Sequence, residues 1–89
     1  MELYIHYTAL PEGKKLEDIV EELNEVLDEH GVVCGGEDTD RGGRLDLDLE
    51  DERINPKYAQ MAVKAYLQRA EFARDTKVEI GGMEIGVYE

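Results

Sequence analysis

Two periodicities run through the chain, one close to that of a helix and one of strict alternation. Leu16, Ile19, Val20, Leu23, Val26 and Leu27 recur at the i, i+3, i+4, i+7 spacing that puts them on one helical stripe. This predicts an amphipathic helix from Lys15 to His30. Gly31 is the expected C′ residue, able to take the left-handed conformation that closes a helix, and a positive His30 would favour the helix dipole. Glu2 to Tyr7 alternates instead, with Leu3, Ile5 and Tyr7 on one face and Glu2, Tyr4 and His6 on the other, as in a half-buried strand. Pro11 and Gly13 interrupt the segment between that strand and the helix.

Val32 to Glu37 is a β-prone run that weakens at Gly35 and Gly36, where a bulge or the close approach of another backbone is expected. Asp38 to Gly43 is dense in turn formers. Arg44 to Glu50 alternates again, with Leu45, Leu47 and Leu49 against Arg44, Asp46, Asp48 and Glu50, so these two runs form a hairpin. Asn55 and Pro56 have the character of an N-cap and first helical residue. In the helix that follows, Tyr58, Met61, Ala62, Ala65, Tyr66, Arg69 and Ala73 trace one stripe, which Val63, Leu67, Ala70 and Phe72 widen. Thr76 to Ile80 and Met83 to Tyr88 flank Gly81-Gly82, the pair preferred by tight hairpin turns.

The order β-α-β-β-α-β-β predicts an α+β domain, with two helices packed on one face of a four- to five-stranded, mostly antiparallel sheet. With right-handed crossovers this resembles the ferredoxin-like split β-α-β arrangement, extended by a C-terminal hairpin strand. The resemblance is architectural and implies no function.

Eighty-nine residues, 42% of them apolar, suffice for one domain and one modest core despite a net charge of −12. No apolar run approaches a membrane span, and Met-Glu-Leu-Tyr lacks the basic start of a signal peptide, so a soluble, cytoplasmic protein is expected. The single cysteine, Cys34, fits a reducing compartment. With 22 acidic residues against 10 Lys and Arg, the net field disfavours direct contact with nucleic acid and with anionic membranes.

Little in the chain suggests catalysis. There is no serine and no tryptophan, and the glycine pairs lie between strands, away from any phosphate-cradling strand-to-helix turn. Cys34 with His6 or His30 could form a thiol–imidazole pair, but no third orienting group accompanies them. Asp38, Asp40 and Asp46 resemble part of a calcium loop that lacks its closing bidentate Glu, since Leu49 stands there. Asp46 and Asp48 have no apolar pocket to raise a carboxyl pKa. No enzyme, cofactor or metal is expected.

The informative feature is the distribution of acid. The first helix carries Glu17, Asp18, Glu21, Glu22, Glu25, Asp28 and Glu29, with no Lys or Arg after Lys15 to pair with them along the helix. Asp46, Asp48 and Glu50 form a second acidic row on the hairpin, whereas the second helix is mostly basic through Lys57, Lys64, Arg69 and Arg74. Two expectations follow. The first is a small binding module whose helix and hairpin acids engage a basic protein, such as a nuclease or a nucleic-acid-binding complex, in the manner of inhibitors, immunity-type proteins or DNA mimics. The alternative is a structural domain, a homodimer included, whose acidity serves solubility and internal helix pairing.

Overall fold

The computed structural model describes residues 2–27, 31–39, 42–49 and 56–88, with backbone alone for 56–59. Its elements are β1 (Glu2–Tyr7), α1 (Leu16–Leu27), β2 (Gly31–Thr39), β3 (Gly42–Leu49), α2 (Pro56–Arg69), β4 (Lys77–Ile80) and β5 (Met83–Gly86). All five strands pair antiparallel in one open sheet of order β2-β3-β1-β4-β5. The α+β class with two helices is therefore as the periodicities predict.

The alternation along the strands decides which side of the sheet is covered. Leu3, Ile5 and Tyr7 of β1, Leu45, Leu47 and Leu49 of β3 and Val78 of β4 are buried. They form one core with Ile19, Leu23 and Leu27 of α1, Val63, Tyr66 and Leu67 of α2, and Phe72 and Val87. Both helices thus lie on one face, in contact with each other, and the intervening residues Tyr4, His6, Arg44, Asp46, Asp48 and Glu79 project from the other.

Several local expectations are corrected. Gly31 does not close α1 with a left-handed backbone; it opens β2 opposite Leu49. There a Cβ would come within 2.7 Å of the Asp48 carbonyl oxygen, so glycine is needed for space. Residues 28–30, which the sequence assigns to the end of the helix, fall outside the described residues. The hairpin is tighter than the turn formers suggest. Pairing continues to Thr39 opposite Gly42, leaving two connecting residues, 40 and 41, outside the described residues. The register shifts between Val33 and Gly35, so the expected bulge is centred on Cys34. At Gly36 the expected close approach is met, since a Cβ would sit 2.5 Å from the Arg44 carbonyl oxygen.

The second helix begins at Pro56 as expected, whereas Asn55 lies outside the described residues. Its phase differs from the predicted stripe. Val63, Tyr66 and Leu67 are buried, while Met61 is 69% exposed and Ala65 and Arg69 also face outward. Alanines on several sides make the apolar pattern nearly continuous around the axis, and only the large side chains settle which face turns inward. The helix ends at Arg69 through a pair of reversed hydrogen bonds, Phe72 N–H to the Leu67 carbonyl and Glu71 N–H to the Gln68 carbonyl. Glu71 takes the left-handed position of this Schellman motif at φ 64°. Gly81 and Gly82, both at positive φ, form the tight turn between β4 and β5.

Candidate functional site

The acidic side chains of α1 divide into those the fold uses and those it leaves outward. Asp18 belongs to the first group. Its carboxylate accepts the Lys15 N–H at 3.0 Å, and its own N–H donates to the Lys15 carbonyl, which caps the first turn. Glu22 joins three segments: Lys14 Nζ lies 2.5 Å from its Oε2, and the Tyr66 hydroxyl of α2 donates to its Oε1 at 3.0 Å. The Lys14 ammonium, followed by the Tyr66 hydroxyl, holds the Glu22 carboxyl below the usual range. Burial, followed by this hydrogen bond, pushes the Tyr66 phenol well above its ordinary value.

Glu17, Glu21 and Glu25 are exposed, and they stand four residues apart in a single row. None of the three has an ion-pair or hydrogen-bond partner among the described residues. Asp28, which the sequence places in the same row, is outside the described residues. Beside the row, a groove of about 830 Å³ runs between the helices, lined by Glu12, Lys14, Glu22, Glu25, Tyr66 and Arg69 among others.

The hairpin acids lie elsewhere. Leu45, Leu47 and Leu49 point at the helices, so Asp46 and Asp48 project from the opposite, open side of the sheet. Glu50 is outside the described residues. The helix row and the hairpin row therefore occupy opposite faces, and one rigid partner surface cannot read both. The open face also mixes its charges. Arg44 Nε donates to Asp46 Oδ1 at 2.7 Å, and its guanidinium lies 5.7 Å from the centre of the Tyr4 ring. His6 Nε2 lies 3.1 Å from Glu79 Oε1, and Lys77 Nζ is 3.8 Å from Glu84. Asp48 sits directly opposite Glu2 on β1.

The other candidates are separated by the fold. Cys34 is exposed on the edge strand and donates its thiol to the Asp46 carbonyl at 3.3 Å. His6 lies two strands away beside Glu79, and His30 is outside the described residues. Of the carboxylates resembling a calcium site, Asp40 is outside the described residues, Asp38 lies in the ladder opposite Gly43 and accepts the Tyr7 hydroxyl at 2.9 Å, and Asp46 is held by Arg44. The sequence places Tyr7 and Tyr66 only on apolar faces and does not foresee that they and Lys14 make the contacts to Asp38 and Glu22. A tyrosine in an apolar stripe beside an acid-rich helix is the signal that could have found Tyr66. No family model matches the chain, and neither does any curated protein or any solved structure.

Proposed function

We propose that this chain is a small protein-binding module that engages a basic partner through the outward acidic row of α1, as an inhibitor, immunity-type protein or DNA mimic would. The observation that carries this is the row Glu17, Glu21 and Glu25, exposed and unpaired among the described residues while Asp18 and Glu22 are consumed by the fold. A row of like charge on a rigid helix steers a cationic surface and raises its rate of encounter. The footprint is narrower than the full acidic set, because Asp46 and Asp48 belong to another face.

For the architecture, the ferredoxin-like variant with one added edge strand is the reading we adopt. It is supported by β3 lying between β1 and β2, and β1 between β3 and β4. The absence, among the described residues, of a helix long and apolar enough to cross a membrane fits a cytoplasmic setting, as does the exposed thiol of Cys34.

The test is charge reversal with a charge-matched control. Glu21→Lys combined with Glu25→Lys is compared with Glu2→Lys combined with Glu84→Lys, two exposed acids away from the row, using a lysine- and arginine-rich peptide as probe at low salt. The α1 pair should slow association about tenfold more than the control pair, with folding unchanged. Equal loss in both would mean that only net charge matters and would overturn the proposal.

One contact favours the alternative, in which acidity serves the fold: the Tyr66 hydroxyl of α2 bonds to Glu22 of α1. Salt separates the two readings. Unpaired acids predict a melting temperature that rises with sodium chloride, whereas internally paired acids predict a fall.

A further inference from the structure

Among the described residues, the edge of β2 that faces away from β3 is covered over only half its length. Val33 donates its N–H to Asn24 Oδ1 of α1 at 2.9 Å, so a helix side chain covers the edge at that point. The bulge centred on Cys34 then breaks the ladder register next to it. Both devices are ones that sheets use against unwanted pairing. Beyond the bulge the ladder is regular again, with Gly36 opposite Leu45, Glu37 opposite Arg44, Asp38 opposite Gly43 and Thr39 opposite Gly42. Antiparallel pairing alternates between residues that bond to the neighbouring strand and residues that point away from it. Thr39 and Gly42 flank a two-residue connection and so form a bonded pair, which turns the backbone groups of Asp38 and Gly36 to the open edge. The same alternation turns Val33 outward, where its bond to Asn24 is found.

A shallow apolar groove of about 240 Å³ runs alongside, formed by Leu16 and Val20 of α1 with Val33, Gly35, Gly36 and Leu45 of the sheet. Gly36, opposite Leu45 on the groove's face, has no side chain to fill it. Val20 and Asn24 form the flank of α1 that meets β2, and Glu17 and Glu21, each three residues earlier, stand on the outer side of that flank. Glu37 is exposed on the strand itself, opposite Arg44, while the exposed Asp38 accepts the Tyr7 hydroxyl. An open backbone edge, a groove for an apolar side chain and acids on both sides match one kind of occupant. The β5 edge lacks this match, since its Glu84 is already beside Lys77.

We propose that the basic partner presents an extended segment that adds as a sixth strand to the Gly36–Thr39 half of β2. An apolar residue of that segment enters the groove beside Gly36, the residues next to it project from the opposite face toward Glu37, and cationic residues two positions along, back on the groove's face, meet Glu17 or Glu21. This rests on the basic-partner reading above and specifies its geometry.

The probe is a monomeric peptide with one central valine flanked by lysines at the first and second positions on each side, compared at low salt with its fully N-methylated counterpart of equal charge. The unmethylated peptide should bind about tenfold tighter, because methylation removes the strand's donors. It should also slow hydrogen exchange at the Gly36 and Asp38 amides. Equal binding of the two peptides would overturn strand addition while leaving the basic-partner reading standing. Tighter binding that protects Met83–Gly86 instead would place the added strand on β5 and overturn the proposal as well. Binding of neither peptide would overturn both.

Discussion

The Tyr7 hydroxyl donates to the Asp38 carboxylate at 2.9 Å across an intervening strand. Gly43 makes this possible, since it is the register partner of Tyr7 on one side and of Asp38 on the other. The phenol lies over the glycine, and its ring also meets Phe72 edge-on at 6.2 Å. A Cβ at Gly43 would fall 2.6 Å from the Tyr7 hydroxyl and 2.1 Å from the Glu37 carbonyl oxygen. The backbone carbonyl cannot yield as a flexible side chain would. Gly43→Ala should therefore cost about 3 kcal/mol, at the upper end of overpacking effects. Tyr7→Phe keeps the ring and should cost about 1 kcal/mol for the lost hydrogen bond. Urea denaturation of the two variants checks both values, and a Gly43→Ala cost below that of Tyr7→Phe would contradict this geometry.

The facing of α2 can be tested by two substitutions six residues apart. Leu67 is fully buried and Met61 is 69% exposed. Leu67→Ala should cost about 2–5 kcal/mol, comparable with Leu23→Ala on α1, whereas Met61→Ala should change stability by less than about 0.5 kcal/mol. Similar losses at both positions would mean that the stripe through Met61 faces the core after all.

How far the sequence reveals the fold depends on how distinct each pattern is. The strands β1 and β3 are legible because Leu3, Ile5 and Tyr7, and Leu45, Leu47 and Leu49, alternate strictly with polar residues. α1 is legible because its apolar stripe is flanked by acids, so only one phase is available. α2 is legible as a helix but not in its facing, since Ala59, Ala62, Ala65 and Ala70 distribute apolar character around the axis. Glycine roles are the least legible. Gly31 and Gly43 are required by atoms on other strands, the Asp48 carbonyl and the Tyr7 phenol, and that information is not local to either position. The candidate site is legible in composition only. The acidic row can be read from spacing, but its separation from Asp46 and Asp48 requires knowing that both helices cover the face to which Leu45 and Leu47 point.

The end of α2 carries a correctable cost. Glu71 holds the left-handed C′ position at φ 64°, which crowds any Cβ against the neighbouring carbonyl and which glycine occupies without strain. Glu71→Gly should stabilise the protein by about 1 kcal/mol, raising the melting temperature by about 4–8 °C for a domain of this size. Glu71→Ala serves as the control, because alanine retains the Cβ and should give no comparable gain. Equal effects of the two substitutions would show that the lost carboxylate, and not the backbone, is responsible.

Acid should act on this protein in two opposing directions, and Glu22 separates them. Repulsion among the outward carboxylates is relieved as they protonate, which favours the folded state on mild acidification. Glu22 behaves oppositely. The Lys14 ammonium, and after it the Tyr66 hydroxyl, hold its folded pKa below the ordinary carboxyl value. A depressed folded pKa means that the unfolded chain takes up the proton more readily, so this contribution is present above the ordinary value of about 4.3 and disappears as pH falls through the lower folded one. Glu22→Gln removes the titration while retaining an acceptor for Tyr66. The difference in stability between wild type and Glu22→Gln should accordingly be steady near neutral pH and shrink below about pH 4.3. Urea midpoints of both proteins between pH 7 and pH 2.5 measure it, with those pH limits set by the ordinary carboxyl range at about 4. A difference that stays constant across that span would mean that Glu22 has an ordinary pKa in the folded protein, and that its contacts with Lys14 and Tyr66 add nothing specific to the charged form.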